Sequence, residues 1–444
     1  MVKKRRKLKI GNITMFLLLV MLFVLVMVYV NVDKSNGNNI VTTKVSIDDK
    51  IDSIIVMVED SFVDKEFLNW LNDKYGVDDI YNYLLDNEYD DDIWHKYTGN
   101  SLIVLRDLYN KKYDSMSNVS IIDGNKDNVM LSFVGDVSLA DNFEIMPKYD
   151  ARGKGIYGIL SKDVVDIMTG SDLMIANSEF TVSDRGAPLP NKFYTFRASP
   201  KRLSIYGEMG VDLVTLANNH VYDFGEDAFL DMLNAFDEYN IPYVGAGHNI
   251  EEAKRPYYFI INGYKIAFVN ATRAEKYILT PGALENSSGV FRCYDPSMFI
   301  DVIREAKNDS DYVISLIHWG KEDSHWLEDV QVETAKLYID AGSDIIIGSH
   351  AHVLQGIDFY NGKPIIYNLG DFIFNNESKE TAIFQMKLSY DGDMEYYIIP
   401  GYQEGEYTKL LESDDKKEVI NNIISWSNNK IFIDEDGKIS KAIN

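Results

Sequence analysis

Five times in the middle of the chain a short apolar run ends directly in residues able to hold a metal ion or to work beside one. No other feature constrains the fold as tightly. Residues 131–134 run into Gly135 and Asp136, residues 173–176 into Asn177, Ser178 and Glu179, and residues 213–217 into Asn218, Asn219 and His220. Residues 312–317 then lead to His318, Trp319 and Gly320, and residues 345–347 to Gly348, Ser349, His350, Ala351 and His352. Runs of this length and β-branched content read as buried strands, and the stretches between them have helical spacing. Open α/β sheets collect ligands at the carboxyl ends of their strands, so five strands would deliver their polar ends to one crevice.

The residue types at those ends agree with one another. Imidazole nitrogens with carboxylate and amide oxygens suit divalent Mn, Zn or Fe, as one or two ions. His350 and His352 are too close in sequence to share a helix face, but alternating loop residues can address two ions about 3.5 to 4 Å apart. Cys293 is the single cysteine, which excludes an intrachain disulfide and a thiolate zinc site and leaves it as a small buried hydrophobe. The chain carries 44 Lys and Arg against 69 Asp and Glu, a net charge of -25, the wrong sign for holding nucleic acid through its phosphates.

The N-terminus has a different character. Lys3, Lys4, Arg5, Arg6, Lys7 and Lys9 precede an apolar run from Met15 to Val30. Residues 13–32 are expected to be an uncleaved transmembrane anchor, with 1–12 as a basic cytoplasmic tail and the main domain outside the cell. Residues 33–60 read as a polar tether and 61–128 as a small helical accessory region. Residues 129–400 form the α/β domain, and 401–444 an acidic C-terminal extension with an amphipathic stretch near Val419 to Trp426.

Smaller motifs remain open at this level. Asp223, followed three residues later by Glu226, fits a helix-capping box as well as it fits a carboxylate orienting His220. The segment 191–202 holds Lys192, Arg197, Lys201 and Arg202, with Phe193, Tyr194 and Phe196 between them and no acid. It reads either as a substrate-contacting loop, through Lys192, Arg197 and Arg202, or as a solvated basic loop. His95 and His248 read as structural or exposed.

In order and wording these elements resemble the CapA-type proteins of bacterial poly-gamma-glutamate capsule synthesis. The resemblance rests on Gly135, Asp136 and Val137; on Asn177 to Glu179; on Ala217 to His220 with Asp223, Phe224 and Gly225; and on Gly245 to Gly247. It continues through His318 to Gly320, Gly348 to His352, and Asn368 to Phe372. It implies a calcineurin-like metallophosphatase fold, a four-layer αββα sandwich. By the same likeness Asp136 would bind one metal, Glu179 would bridge two, Asn219, His318 and His350 would hold the second, and His352 would return to the first. His220 would sit beside them as catalytic proton donor or oxyanion partner. The likeness departs at Ser138, where the wider superfamily carries a histidine, so the first position is expected to bind more weakly.

The resemblance also implies partners: an anionic polymer such as poly-gamma-glutamate and membrane-embedded capsule synthase subunits. Three functions follow from it. The chain is a metal-dependent hydrolase-type component of capsule synthesis or export, a non-catalytic polymer-binding or assembly subunit, or an external phosphodiesterase or nucleotidase.

Overall fold

The computed structural model describes residues 45–122, 127–275, 279–375 and 377–442. The expected anchor at 13–32 and its basic tail lie outside them. Among the described residues no helix is long and apolar enough to cross a membrane.

Two compact units divide at Tyr89 and Asp90. The first contains helices Ile47–Val58, Lys65–Tyr75 and Asp78–Asp86. Helix Ile47–Val58 occupies residues expected to form a tether. Its start is local: the Ser46 hydroxyl accepts the Asp49 amide hydrogen, and Ile51, Ile54 and Val58 then fall on one buried stripe. Asp64 caps the second helix in the same way, through the Phe67 amide at 2.8 Å.

The second unit is an α/β sandwich of two mixed sheets. One sheet is centred on strand Asn128–Val137, with Leu173–Ser178 and then Leu213–Thr215 parallel on one side. The long hairpin Lys379–Ser389 and Met394–Glu404 lies antiparallel on the other side. The other sheet has Tyr264–Thr272, Tyr312–His318 and Ile345–Ser349 parallel at its middle.

Strand alternation sorts the apolar residues into three layers. Val129, Leu131 and Phe133 of the first sheet meet Ile266, Phe268, Ile314, Leu316, Ile345 and Ile347 of the second. On the first sheet's outer face Met174, Ala176 and Val214 pack against helix Glu226–Glu238 through Phe229, Met232 and Phe236. On the second sheet's outer face Val313, Ile317 and Ile346 pack against helices Ser297–Asn308 and Asp329–Ala341. Three apolar seams thus separate four layers, helix, sheet, sheet, helix.

Both expected borders of this domain move. Val119–Ile122 already pairs in parallel with Tyr257–Ile261, so the second sheet begins inside the region read as accessory. At the other end Tyr407–Leu410 extends the first sheet, and Val419, Ile420 and Ile423 of helix Ser413–Trp426 enter the seam between the sheets. The C-terminal segment is part of the sandwich, because its amphipathic helix covers apolar surface that the sheets leave open.

Candidate metal centre

The strand ends meet as their sequence pattern requires. Asp136 lies near the end of Asn128–Val137, beyond a register shift between Phe133 and Asp136 that re-aims the strand. Glu179 follows Leu173–Ser178, and Asn219 and His220 follow Leu213–Thr215. From the other sheet, His318 ends its strand, while His350 and His352 occupy the turn after Ile345–Ser349. In that turn His350 has φ 94° and His352 φ 57°. Residues other than glycine rarely hold such backbone angles, and each costs about 1 to 3 kcal/mol, a cost typical of functional turns.

Glu179 stands at the centre. Its Oε2 accepts from Asn177 Nδ2 at 3.0 Å, while its Oε1, fully buried, has no hydrogen-bond partner. Three imidazole nitrogens face that oxygen beyond hydrogen-bond reach: His318 Nε2 at 3.6 Å, His352 Nε2 at 3.9 Å and His220 Nε2 at 4.0 Å. His318 Nε2 also lies 2.8 Å from Asn219 Oδ1, and its Nδ1 lies 2.9 Å from Ser349 Oγ. With the ring proton on Nε2 the ring donates to Asn219 Oδ1; with the proton on Nδ1, donated to Ser349 Oγ, the Nε2 lone pair is free to meet a cation beside the oxygens of Asn219 and Glu179. His350 Nδ1 is likewise buried without a partner. The donor set, the spacing and the orphaned Oε1 all fit a divalent ion, with Glu179, His350 and His352 as one mutually close group and Asp136, Glu179 and His318 as another.

Electrostatics sharpen the picture. Burial, with the neighbouring Asp136 charge, pushes the Glu179 carboxyl well above its ordinary range. Burial also pushes the His318 imidazole well down and His350 down to about 3, with other imidazoles adding to the effect. His352 goes the other way: burial opposes its charge, but Asp371, Asp136 and Glu179 outweigh it. Neutral His318 and His350 are in the state that ligates metal.

His220 is oriented separately. Its Nδ1 lies 2.8 Å from Asp223 Oδ2, and burial keeps the ring's pKa below its ordinary value despite that carboxylate. This settles the role of Asp223: helix Glu226–Glu238 starts after Gly225 with no side-chain cap, so no capping box forms.

The basic loop divides. Lys192 is buried, its ammonium 2.7 Å from Asp223 Oδ1 and 3.0 Å from Glu275 Oε1, and it also donates to the Asn219 carbonyl. It holds two site residues in place and faces no open surface. Arg202 is committed to Asp150 through two bonds of 2.7 Å and to Asp141 at 2.8 Å. Its charge is therefore already matched by internal carboxylates. Arg197 rests its guanidinium 4.4 Å from the Phe224 ring and stays partly exposed, next to the exposed Phe193 and Tyr194.

His95 bonds to the Asn262 carbonyl and stacks on Tyr264, and His248 bonds to Glu252. Asp371 was not among the expected site residues, although it follows an apolar run as the others do; its carboxylate lies 2.7 Å from His352 Nδ1.

A crevice of buried imidazoles and carboxylates at the strand ends of a two-sheet α/β sandwich defines a protein built around a metal-capable centre. Residues 130–376 match the family model described as bacterial capsule synthesis protein PGA_cap, and the chain belongs to that family. This agrees with the resemblance read from its motifs. It is 30% identical over 315 residues to the PGA biosynthesis protein CapA of Bacillus subtilis, spanning 70% of this chain and 81% of that one. The capsule biosynthesis protein CapA of Bacillus anthracis is 28% identical over 327 residues, spanning 71% and 77%. Among solved structures, the NAD nucleotidase of Haemophilus influenzae aligns with 67% of this chain and 62% of its own at 12% identity and a TM-score of 0.39.

Proposed function

We propose that this protein acts in the synthesis or export of a poly-gamma-glutamate capsule through a divalent-metal, hydrolase-type centre on a calcineurin-like metallophosphatase fold. One observation carries the chemistry: the unpartnered Glu179 Oε1, fully buried and faced by His318, His352 and His220. An ion of Mn, Zn or Fe would be held by Asp136, Glu179, Asn219, His318, His350 and His352. When bound it would polarise a carbonyl or phosphoryl oxygen near neutral pH.

The chain's own residues do the rest. Asp223 accepts a hydrogen bond from the Nδ1–H of His220, which leaves Nε2 facing the crevice as a proton acceptor and, once protonated, as donor to a leaving group. Arg197, with Phe193 and Tyr194, offers a cationic and apolar edge to an anionic chain. Such local charge is needed because the protein as a whole repels polyanions.

Protein purified without chelator should contain at least one equivalent of Mn, Zn or Fe by elemental analysis, and Glu179→Ala should lose it. Finding no metal in the wild type removes the reading.

The basic residues Lys3 to Lys9 and the apolar run Met15 to Val30 support an anchor that holds the sandwich outside the cell, beside membrane-embedded synthase subunits. Protease added to intact, wall-stripped cells should then degrade the sandwich, whereas full protection places it inside.

A further inference from the structure

Ser138 offers no imidazole, yet the neighbouring strand brings a carboxylate from a distant part of the chain. Strand Asp371–Ile373 runs parallel to Asn128–Val137 with Asp371 in register with Asp136. Gly135 makes this approach possible: a Cβ there would lie 1.8 Å from the Gly370 carbonyl oxygen, which instead accepts the Asp136 amide at 3.0 Å. The two carboxylates are thus set side by side at the crevice. His352 Nδ1 lies between them, 2.7 Å from Asp371 Oδ1 and 3.4 Å from Asp136 Oδ2. Ligand atoms of Asp136, His352 and Asp371 all lie within 4.8 Å of one another.

The oxygen donors are crowded together with little cationic contact. Asp136, Glu179 and Asp371 are all buried. Lys379 comes no closer to Asp371 than 3.8 Å and is engaged by Glu377 at 2.7 Å and Asp323 at 2.9 Å. The carboxyl oxygens of Asp136 and Asp371 therefore converge on His352 with no closer ammonium or guanidinium among the described residues, a geometry that a divalent ion would fill. The unpartnered Glu179 Oε1, 3.9 Å from His352 Nε2, is turned toward the same place.

We propose that Asp371 is a metal ligand, and that Asp136, Asp371 and His352 form an oxygen-rich divalent-cation position that shares Glu179 with, and is distinct from, the one served by Asn219, His318 and His350. This rests on the metal reading given above and assigns a residue and a preference to it. A position with two carboxylates and one imidazole takes hard ions such as Mn²⁺, whereas the imidazole-richer position suits Zn²⁺ equally well. The loss of an imidazole at Ser138 is then offset by a carboxylate contributed from a different strand.

The competing role for Asp371 is to orient His352 through its Nδ1 proton, as carboxylates behind metal-bound histidines do. Calorimetric titration of the metal-free, full-length protein with Mn²⁺ separates the two, with circular dichroism confirming that each variant is folded. Wild type should bind two equivalents. Asp371→Ala should bind one equivalent, and Asp371→Asn, which keeps the shape and can still accept the His352 hydrogen bond but loses the charge, should bind the second equivalent at least tenfold more weakly, the other equivalent keeping its affinity within about twofold in both. Two equivalents at wild-type affinity in Asp371→Asn overturn the ligand assignment in favour of orientation. One equivalent in the wild type, unchanged in Asp371→Ala, overturns the second position while leaving the proposed function in place. No binding by the wild type overturns both.

Discussion

Replacing His220 with alanine should lower polymer output in cells by about a hundredfold to ten-thousandfold, the usual range for losing a positioned acid–base or oxyanion group. Metal content should stay at the wild-type level. The ring is placed for chemistry at the centre without being needed to fill it. Its Nε2 is 4.0 Å from Glu179 Oε1, and its Nδ1 is held by Asp223, which is in turn held by Lys192. A binding protein would have little use for a buried imidazole kept neutral and fixed in one tautomer. Capsular polymer measured in a complemented deletion strain, with elemental analysis of the purified variant, reads both quantities. Unchanged output in His220→Ala, with output lost on neutralising Arg197, would assign the crevice to polymer binding.

A second large effect belongs to the fold. Lys265 is fully buried, its ammonium 2.7 Å from Asp107 and 3.1 Å from Asp309. These contacts fasten helix Leu102–Tyr109 and the start of strand Tyr264–Thr272 to the loop after helix Ser297–Asn308. Lys265→Met should destabilise the sandwich by about 3 to 5 kcal/mol, because it strands the buried Asp107 carboxylate without its partner. Adding Asp107→Leu should recover most of the loss, since a buried pair replaced by packed apolar groups is close to neutral. The midpoint of urea unfolding measures both variants. A loss under about 1 kcal/mol in Lys265→Met would mean that the remaining cations, Arg106 and Lys112, carry the cluster.

Much of the centre could be read from the chain, because a buried strand writes its end into the sequence as an apolar run that stops at polar residues. Asp136, Glu179, Asn219, His318, His350 and His352 all carry that signature. Lys192 and Arg202 could not be read the same way. A basic residue looks the same whether it faces substrate or an internal carboxylate, and their partners Glu275, Asp141 and Asp150 are near them only after folding. Asp371 follows an apolar run too, but its register with Asp136 depends on strand pairing, which the chain does not spell out locally. The borders of the domain were misplaced for a related reason. The four residues Val119–Ile122 are too short to show a strand by periodicity, and the amphipathic stretch near Val419 to Trp426 shows that a helix exists there, not which surface it covers. The helix at Ile47–Val58 was missed because the flanking polar residues outweighed a capped, three-residue stripe.

The residues that converge on the centre come from both halves of the sandwich: Asp136, Glu179, Asn219 and Asp371 from one sheet, His318, His350 and His352 from the other. An ion seated among them would rivet the two sheets together at one rim, and no partial assembly of either sheet presents the full set of donors. Metal capture would therefore come late, after pairings that are distant in sequence have closed, and such pairings are the slow ones in folding. A chain with an unfinished sandwich would stay empty in a metal-containing medium, so metal content in a population of molecules would also count how many have completed their fold.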